Sequence, residues 1–344
     1  MSKLSRISVI FFWLLSTFTY SQTGTVITDS ITSNILNQTV LYNIYLPPTY
    51  GLNSSTMYPV LYLLNGYGGN NRDYTNGGIA AMMDTAIENG VKEMIIIMPD
   101  GMNSWYCNNY DSRNLQYEDF MVQELIPQAE SKYHISSSKD SRAISGLSMG
   151  GYGATYHAFK YPEMYSSCYS MSGAVLYGGN EPNLQTLMNS KSTEQLKSLP
   201  AYTMEIGTED FLYNDNLNFH NLLLDKNVPH NWITRPGIHE WAFWQVCLPK
   251  VLRFTSDHFG TSTNYSLTII EDIQVYPNPA TEWILVKTGS AGSVTLCDII
   301  GNIVYKKAIE NSEVSFYVGN LSRGVYLINI ELPSRKVANK IILQ

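Results

Sequence analysis

Cysteine is scarce in this chain. Four residues, Cys107, Cys168, Cys247 and Cys297, are scattered over 344 positions. That number and spacing exclude a disulfide-stapled scaffold, and without any Cys-x-x-Cys pair a thiolate zinc site is not expected. Basic residues are also few: 22 Lys and Arg stand against 29 Asp and Glu, a formal net charge of −7. They form no cluster able to neutralise phosphates, so nucleic acid is not an expected partner. Two histidines spaced His-x-x-x-His are absent, as is any carboxylate cluster, so neither a metal nor another cofactor is expected. Long apolar runs are missing too. The longest, Ile7 to Phe18, falls short of the roughly 20 residues that cross a bilayer.

That short run has another reading. Lys3 and Arg6 precede it, and Thr19-Tyr20-Ser21 follows with small residues suited to a signal peptidase, so residues 1–21 are expected to be an export signal cleaved before Gln22. The full chain is 44% apolar and 15% charged, as in an ordinary folded protein, and long enough for one large domain and one small one.

From residue 22 to 259 the sequence alternates buried strands and amphipathic helices. Strands are expected at Thr25–Ile31, Thr39–Leu46, Tyr58–Leu64, Met94–Met98, Arg142–Leu147, Ser167–Met171, Tyr202–Ile206 and Asn231–Thr234. Helices are expected at Ile79–Glu88, Tyr117–Tyr133, Met149–Lys160, Asn216–Lys226 and Trp241–Phe259. Such alternation indicates an α/β fold with a mainly parallel sheet covered on both faces. Residues 260–272 are rich in Ser and Thr at their start and read as a linker. From residue 273 onward short alternating runs separated by Gly and Asn predict a small all-β sandwich.

Gly146-Leu147-Ser148-Met149-Gly150-Gly151 lies where a buried strand meets a helix. In a Gly-x-Ser-x-Gly elbow the serine sits on a strained turn, and its neighbours lack side chains so that strand and helix can approach. Ser148 is therefore the candidate nucleophile. A serine hydroxyl needs an imidazole to take its proton, and on this arrangement an acid and then a histidine follow in chain order. His239, in the loop between the last strand and the last helix, is the candidate base, with His230 the alternative. Glu209 and Asp210, after the strand ending at Ile206, can each orient the imidazole, and position leaves the two close. The backbone N–H of Met149 is the expected first oxyanion donor. The second is expected from Asn65-Gly66-Tyr67-Gly68-Gly69, with Tyr67 N–H as the donor. Trp105 and Tyr106 are candidates to line a substrate pocket.

Together these stretches resemble the esterase D-like family, which includes feruloyl and acetylxylan esterases, short-chain ester hydrolases and S-formylglutathione hydrolase. The resemblance covers about residues 35 to 259 and rests on Tyr58 to Leu64, Met98-Pro99-Asp100-Gly101 with Ser104-Trp105-Tyr106, and Glu124-Leu125-Ile126-Pro127. It continues through Gly146 to Tyr152, Gly207 to Tyr213 and Gly237 to Trp244. It implies an α/β-hydrolase fold, and the family's acid matches Asp210. One departure is Asn65-Gly66, where the family usually has His-Gly. Val275-Tyr276-Pro277-Asn278-Pro279 through Gly324-Val325-Tyr326 to Lys340-Ile341-Ile342 looks like the C-terminal sorting domain of type IX secretion, which implies that machinery as a partner and a secreted or cell-surface location. The expectation is a secreted serine esterase that removes acetyl or feruloyl groups from plant polysaccharides. The export segment disfavours an intracellular S-formylglutathione hydrolase. A non-catalytic binding protein keeping the fold is the rival of another class.

Overall fold

Eight of the apolar runs form one sheet. In the computed structural model, which describes residues 23–110, 112–176, 183–260, 273–288, 291–298, 302–310, 312–332 and 335–344, they are β1 (Thr25–Ser33), β2 (Gln38–Leu46), β3 (Val60–Leu64), β4 (Ile95–Pro99), β5 (Arg142–Leu147), β6 (Ser167–Met171), β7 (Ala201–Gly207) and β8 (Asn231–Arg235). Their order across the sheet is β1-β2-β4-β3-β5-β6-β7-β8. The β1/β2 and β2/β4 pairs are antiparallel and the other five are parallel. The α/β-hydrolase fold expected from the sequence is the one observed.

Every residue of β3 is fully buried. Val60, Tyr62 and Leu64 enter the core on one face, with helices 149–160 and 213–225, while Leu61 and Leu63 enter the core on the other, with helices 79–88 and 241–258. Burial on both faces is why such strands read as continuous apolar runs. The parallel strands end on one rim. At β3 the chain turns to β4 on one side and later returns to β5 on the other, so the sheet's switch point lies beyond the ends of β3 and β5, where α/β folds open a ligand crevice.

The expected helix at 117–133 is not uniform. A wide π-helical stretch, Phe120–Leu125, separates Tyr117–Asp119 from Ile126–Lys132. Pro127 in the next turn has no N–H to continue the ladder. Glu124 is thereby turned inward, where its carboxylate accepts from Ser33 Oγ and from the backbone N–H groups of Asn34 and Ile35 (3.0 and 3.2 Å) in the β1–β2 hairpin. Helices Leu184–Ser190 and Thr193–Lys197 lie between β6 and β7, where the sequence pattern predicts no helix.

The chain divides into two compact units between Ser262 and Thr263. In the second, the antiparallel sheet β13-β10-β9 comprises Glu313–Tyr317, Trp283–Lys287 and Gln274–Tyr276. The sheet β12-β11-β14-β15 comprises Ile303–Ile309, Gly292–Cys297, Gly324–Leu332 and Arg335–Leu343. Ile284, Val286 and Phe316 from the first meet Leu296, Ile328 and Ile330 from the second in one buried core. The expected export signal at 1–21 and linker residues 261–272 lie outside the described residues.

Candidate active site

Ser148 connects β5 to helix 149–160 with φ 54° and ψ −118°, a conformation an L-residue adopts only at a cost. Its backbone is held from both sides. Ser148 N–H donates to Met171 O at the end of β6, and Ser148 O accepts from Ala174 N–H, both at 3.0 Å. The glycines of the elbow are steric necessities. A Cβ on Gly150 would lie 2.1 Å from Leu64 O, and one on Gly146 2.3 Å from Gly150 O.

The ends of β7 and β8 bring the other two side chains to the same rim. His239 Nε2 lies 2.9 Å from Ser148 Oγ, and His239 Nδ1 lies 2.8 Å from Asp210 Oδ2. Asp210 is buried, and its second oxygen accepts from Leu212 N–H at 2.9 Å. Phe211 and Trp244 flank the imidazole with ring centroids 4.7 and 4.9 Å away, the indole edge-on. His230 instead pairs with His220 at 2.6 Å.

Glu209 turns the other way. Its N–H donates to Gly237 O (3.1 Å) and its carboxylate accepts from Gly237 N–H (2.5 Å), clasping the loop that carries His239. That backbone donor holds the Glu209 carboxyl below its usual range. A second brace lies at the start of the same loop. Arg235 bonds Glu205 Oε1 (2.8 Å) and Phe243 O (2.5 Å), and its guanidinium sits 3.5 Å from the Phe243 ring centre. Burial pushes the Glu205 carboxyl up, but the bonds from Lys250, Tyr169 and Arg235 outweigh it and hold the group ionised below its ordinary value.

Met149 is the first helical residue, so its N–H has no carbonyl behind it within the helix and faces the elbow. Tyr67 follows β3 in the turn Gly66–Gly69, closed by Gly69 N–H to Gly66 O at 3.1 Å, with Gly68 at φ +79° as the third residue of a type II turn. A cleft of about 280 Å³ opens over Ser148, lined also by Tyr67, Trp105, Met149, Ala174, Phe211 and Leu212. Trp105 stacks on Tyr110 (4.8 Å, 17°) and meets Tyr152 edge-on (5.6 Å).

Tyr106 corrects the sequence reading. It is fully buried and absent from the cleft lining. Both Trp105 (φ 57°) and Tyr106 (φ 59°) adopt the left-handed region, and this tight turn sends the first ring to the cleft and the second beneath the Asn65 loop. There the Tyr106 hydroxyl lies 2.9 Å from Asn65 Oδ1 and 3.0 Å from Asn65 O. Phe211, Ala174 and Leu212 were not foreseen as lining residues. Only adjacency to Asp210 hinted at Phe211. Among the described residues no group of three or more His, Cys, Asp or Glu could hold a metal ion.

Residues 33–255, well over half the chain, match the family model described as "Putative esterase". The chain belongs to this esterase family. Residues 274–344 match the secretion system C-terminal sorting domain. The esterase unit is similar to an acetyl esterase of Caldicellulosiruptor saccharolyticus, 25% identical over 226 residues that make up 57% of this chain and 82% of that protein. It is also similar to an endo-1,4-beta-xylanase/feruloyl esterase of Xylanibacter ruminicola, 32% identical over 220 residues, 61% of this chain but 28% of that longer protein. A solved ferulic acid esterase superimposes with a TM-score of 0.65 at 29% identity, covering 69% of this chain and 99% of its own. The esterase is thus a carboxylic ester hydrolase, and its type IX sorting domain marks it for export, to be secreted or attached at the cell surface.

Proposed function

We propose that this exported esterase works through an acyl-enzyme on Ser148 and removes feruloyl or acetyl groups from plant polysaccharides. The observation that carries the mechanism is the unbroken chain Ser148 Oγ, His239, Asp210, with both bonds under 3 Å. His239 Nε2 takes the hydroxyl proton as Oγ attacks the ester carbonyl. Asp210 fixes the tautomer in which Nδ1 carries a hydrogen and stabilises the imidazolium that forms. The N–H groups of Met149 and Tyr67 receive the developing oxyanion. His239 then returns the proton to the departing alcohol, and water attacks the acyl-enzyme by the same route in reverse.

The substrate class is supported by the cleft walls. Trp105, Tyr67 and Phe211 give flat apolar surface beside Ser148, suited to a planar aromatic acyl group. The feruloyl and acetyl activities named for the relatives point the same way. Purified protein is expected to hydrolyse methyl ferulate as well as p-nitrophenyl acetate, and a panel adding acetylated xylan ranks the acyl groups. Trp105→Ala should lower kcat/KM for methyl ferulate about 10–100-fold, the worth of one buried aromatic contact, and that for p-nitrophenyl acetate less than about threefold. Equal losses on both esters would remove Trp105 from the acyl site. No turnover of any ester would favour a non-catalytic binding role.

A further inference from the structure

Asn65 takes no part in the chemistry described above, yet its side chain is buried with both polar atoms engaged. Nδ2 donates to Gly66 O at 2.9 Å. Oδ1 accepts from Gly101 N–H, just past β4, at 2.9 Å, and shares the single Tyr106 hydroxyl proton (2.9 Å) with Asn65 O (3.0 Å). Gly101 N–H can only donate and Gly66 O can only accept, so one orientation of the amide satisfies both neighbours.

The bond to Gly66 O bears on the oxyanion site through peptide geometry. Gly66 C=O and Tyr67 N–H are the two ends of one planar trans peptide and point in opposite directions. Whatever holds the carbonyl aims the N–H. Gly66 O is held twice, by Asn65 Nδ2 and by Gly69 N–H (3.1 Å). Gly66 has no Cβ to limit ψ on one side of that peptide, while on the other side Gly68 N–H donates to Asn103 Oδ1 (2.6 Å) and holds the next peptide. The far end of the brace is anchored outside the turn, because Gly101 and Tyr106 belong to the segment after β4.

We infer that Asn65 is a positioning residue: its amide locks the Gly66–Tyr67 peptide so that Tyr67 N–H faces the oxyanion before substrate arrives. The inference rests on the Ser148 acyl-enzyme reading with Tyr67 N–H as a donor. Asn65→Asp is nearly isosteric and keeps an acceptor for Gly101 and Tyr106, but its carboxylate cannot donate to Gly66 O. Losing an oxyanion donor outright costs about 10²–10³-fold in kcat, and a misaimed donor should cost somewhat less, about 10–100-fold.

The test measures kcat and KM with p-nitrophenyl acetate, Tm, and Ki for an aryl trifluoromethyl ketone, which forms a tetrahedral oxyanion adduct on a serine nucleophile. For Asn65→Asp, kcat should fall and Ki rise by the same factor, with KM within about threefold. An unchanged kcat, or a lowered kcat with unchanged Ki, overturns the inference. A wild-type enzyme that hydrolyses esters but ignores the ketone would instead count against the Ser148 reading, so the two failures are distinct. Should Asn65→Asp not fold, Tyr106→Phe decides. Loss of the hydroxyl that fixes the amide should lower kcat about threefold to tenfold with a matching rise in Ki, and an unchanged Ki overturns the inference.

Discussion

His239→Ala is expected to lower kcat for p-nitrophenyl acetate by about 10⁴–10⁶-fold, with KM within a few-fold and Tm little changed. The imidazole lies 2.9 Å from Ser148 Oγ, placed to take its proton, and a hydroxyl at its free pKa is a poor nucleophile. The neighbouring carboxylates sharpen this result. Asp210→Asn should cost about 10³–10⁴-fold, because an amide facing Nδ1 favours the wrong tautomer. Glu209→Gln should cost less than about tenfold, since a neutral carbonyl can still accept from Gly237 N–H as the carboxylate does. Steady-state kinetics on the three purified variants check the order. A Glu209→Gln enzyme as damaged as Asp210→Asn would mean that the wrong carboxylate has been assigned to the histidine.

Gly150→Ala should be among the most damaging single methyl additions in the esterase unit. Its Cβ would stand 2.1 Å from Leu64 O and 2.7 Å from Asn65 O, backbone atoms at the end of β3 that cannot rotate away. The clash pushes the helix of Ser148 from the strand that carries the oxyanion turn, so stability and chemistry suffer together. Overpacking a flexible core costs about 1–3 kcal/mol, and a clash against fixed backbone should exceed it. For a unit of this size about 3 kcal/mol corresponds to a Tm drop of roughly 6–12 °C, with kcat down at least about 100-fold. Gly90→Ala is the control, with open space around its Cβ and only the strain of φ +81°, about 1–2 kcal/mol. Equal Tm values for the two variants would contradict the account of the elbow.

These residues also show where the sequence was readable and where it was not. Elements whose side chains repeat with a regular period were clear. β5 and the helix after it have the bounds Arg142–Leu147 and Met149–Lys160 that the pattern predicts, because strand, elbow and helix each carry a local steric rule. Neighbours of like chemistry were separable only through the family resemblance, not through position. Glu209 and Asp210 are both carboxylates in one turn. The resemblance names Asp210, and the fold gives the physical reason: Asp210 N–H bonds Gly207 O (3.2 Å) and Glu209 N–H bonds Gly237 O, so one side chain meets the histidine and the other the loop behind it. Trp105 and Tyr106 are sent apart because both are left-handed residues, which no periodicity announces. Phe211 and Asn65 gain their roles from partners tens of residues away. The π-helical stretch answers to Pro127 and to the inward demand of Glu124, a tertiary effect. β9, three residues long ahead of Pro277, carries too little pattern to be read alone.

The central claim is a covalent acyl group on one serine, and rapid quenching in acid during turnover of p-nitrophenyl acetate tests it most directly. Intact mass should rise by one acetyl group per chain, the modified peptide should contain Ser148, and Ser148→Ala should show neither gain nor burst. Steady turnover with no mass gain at any quench time, or an acetyl group mapped to another residue, would contradict it.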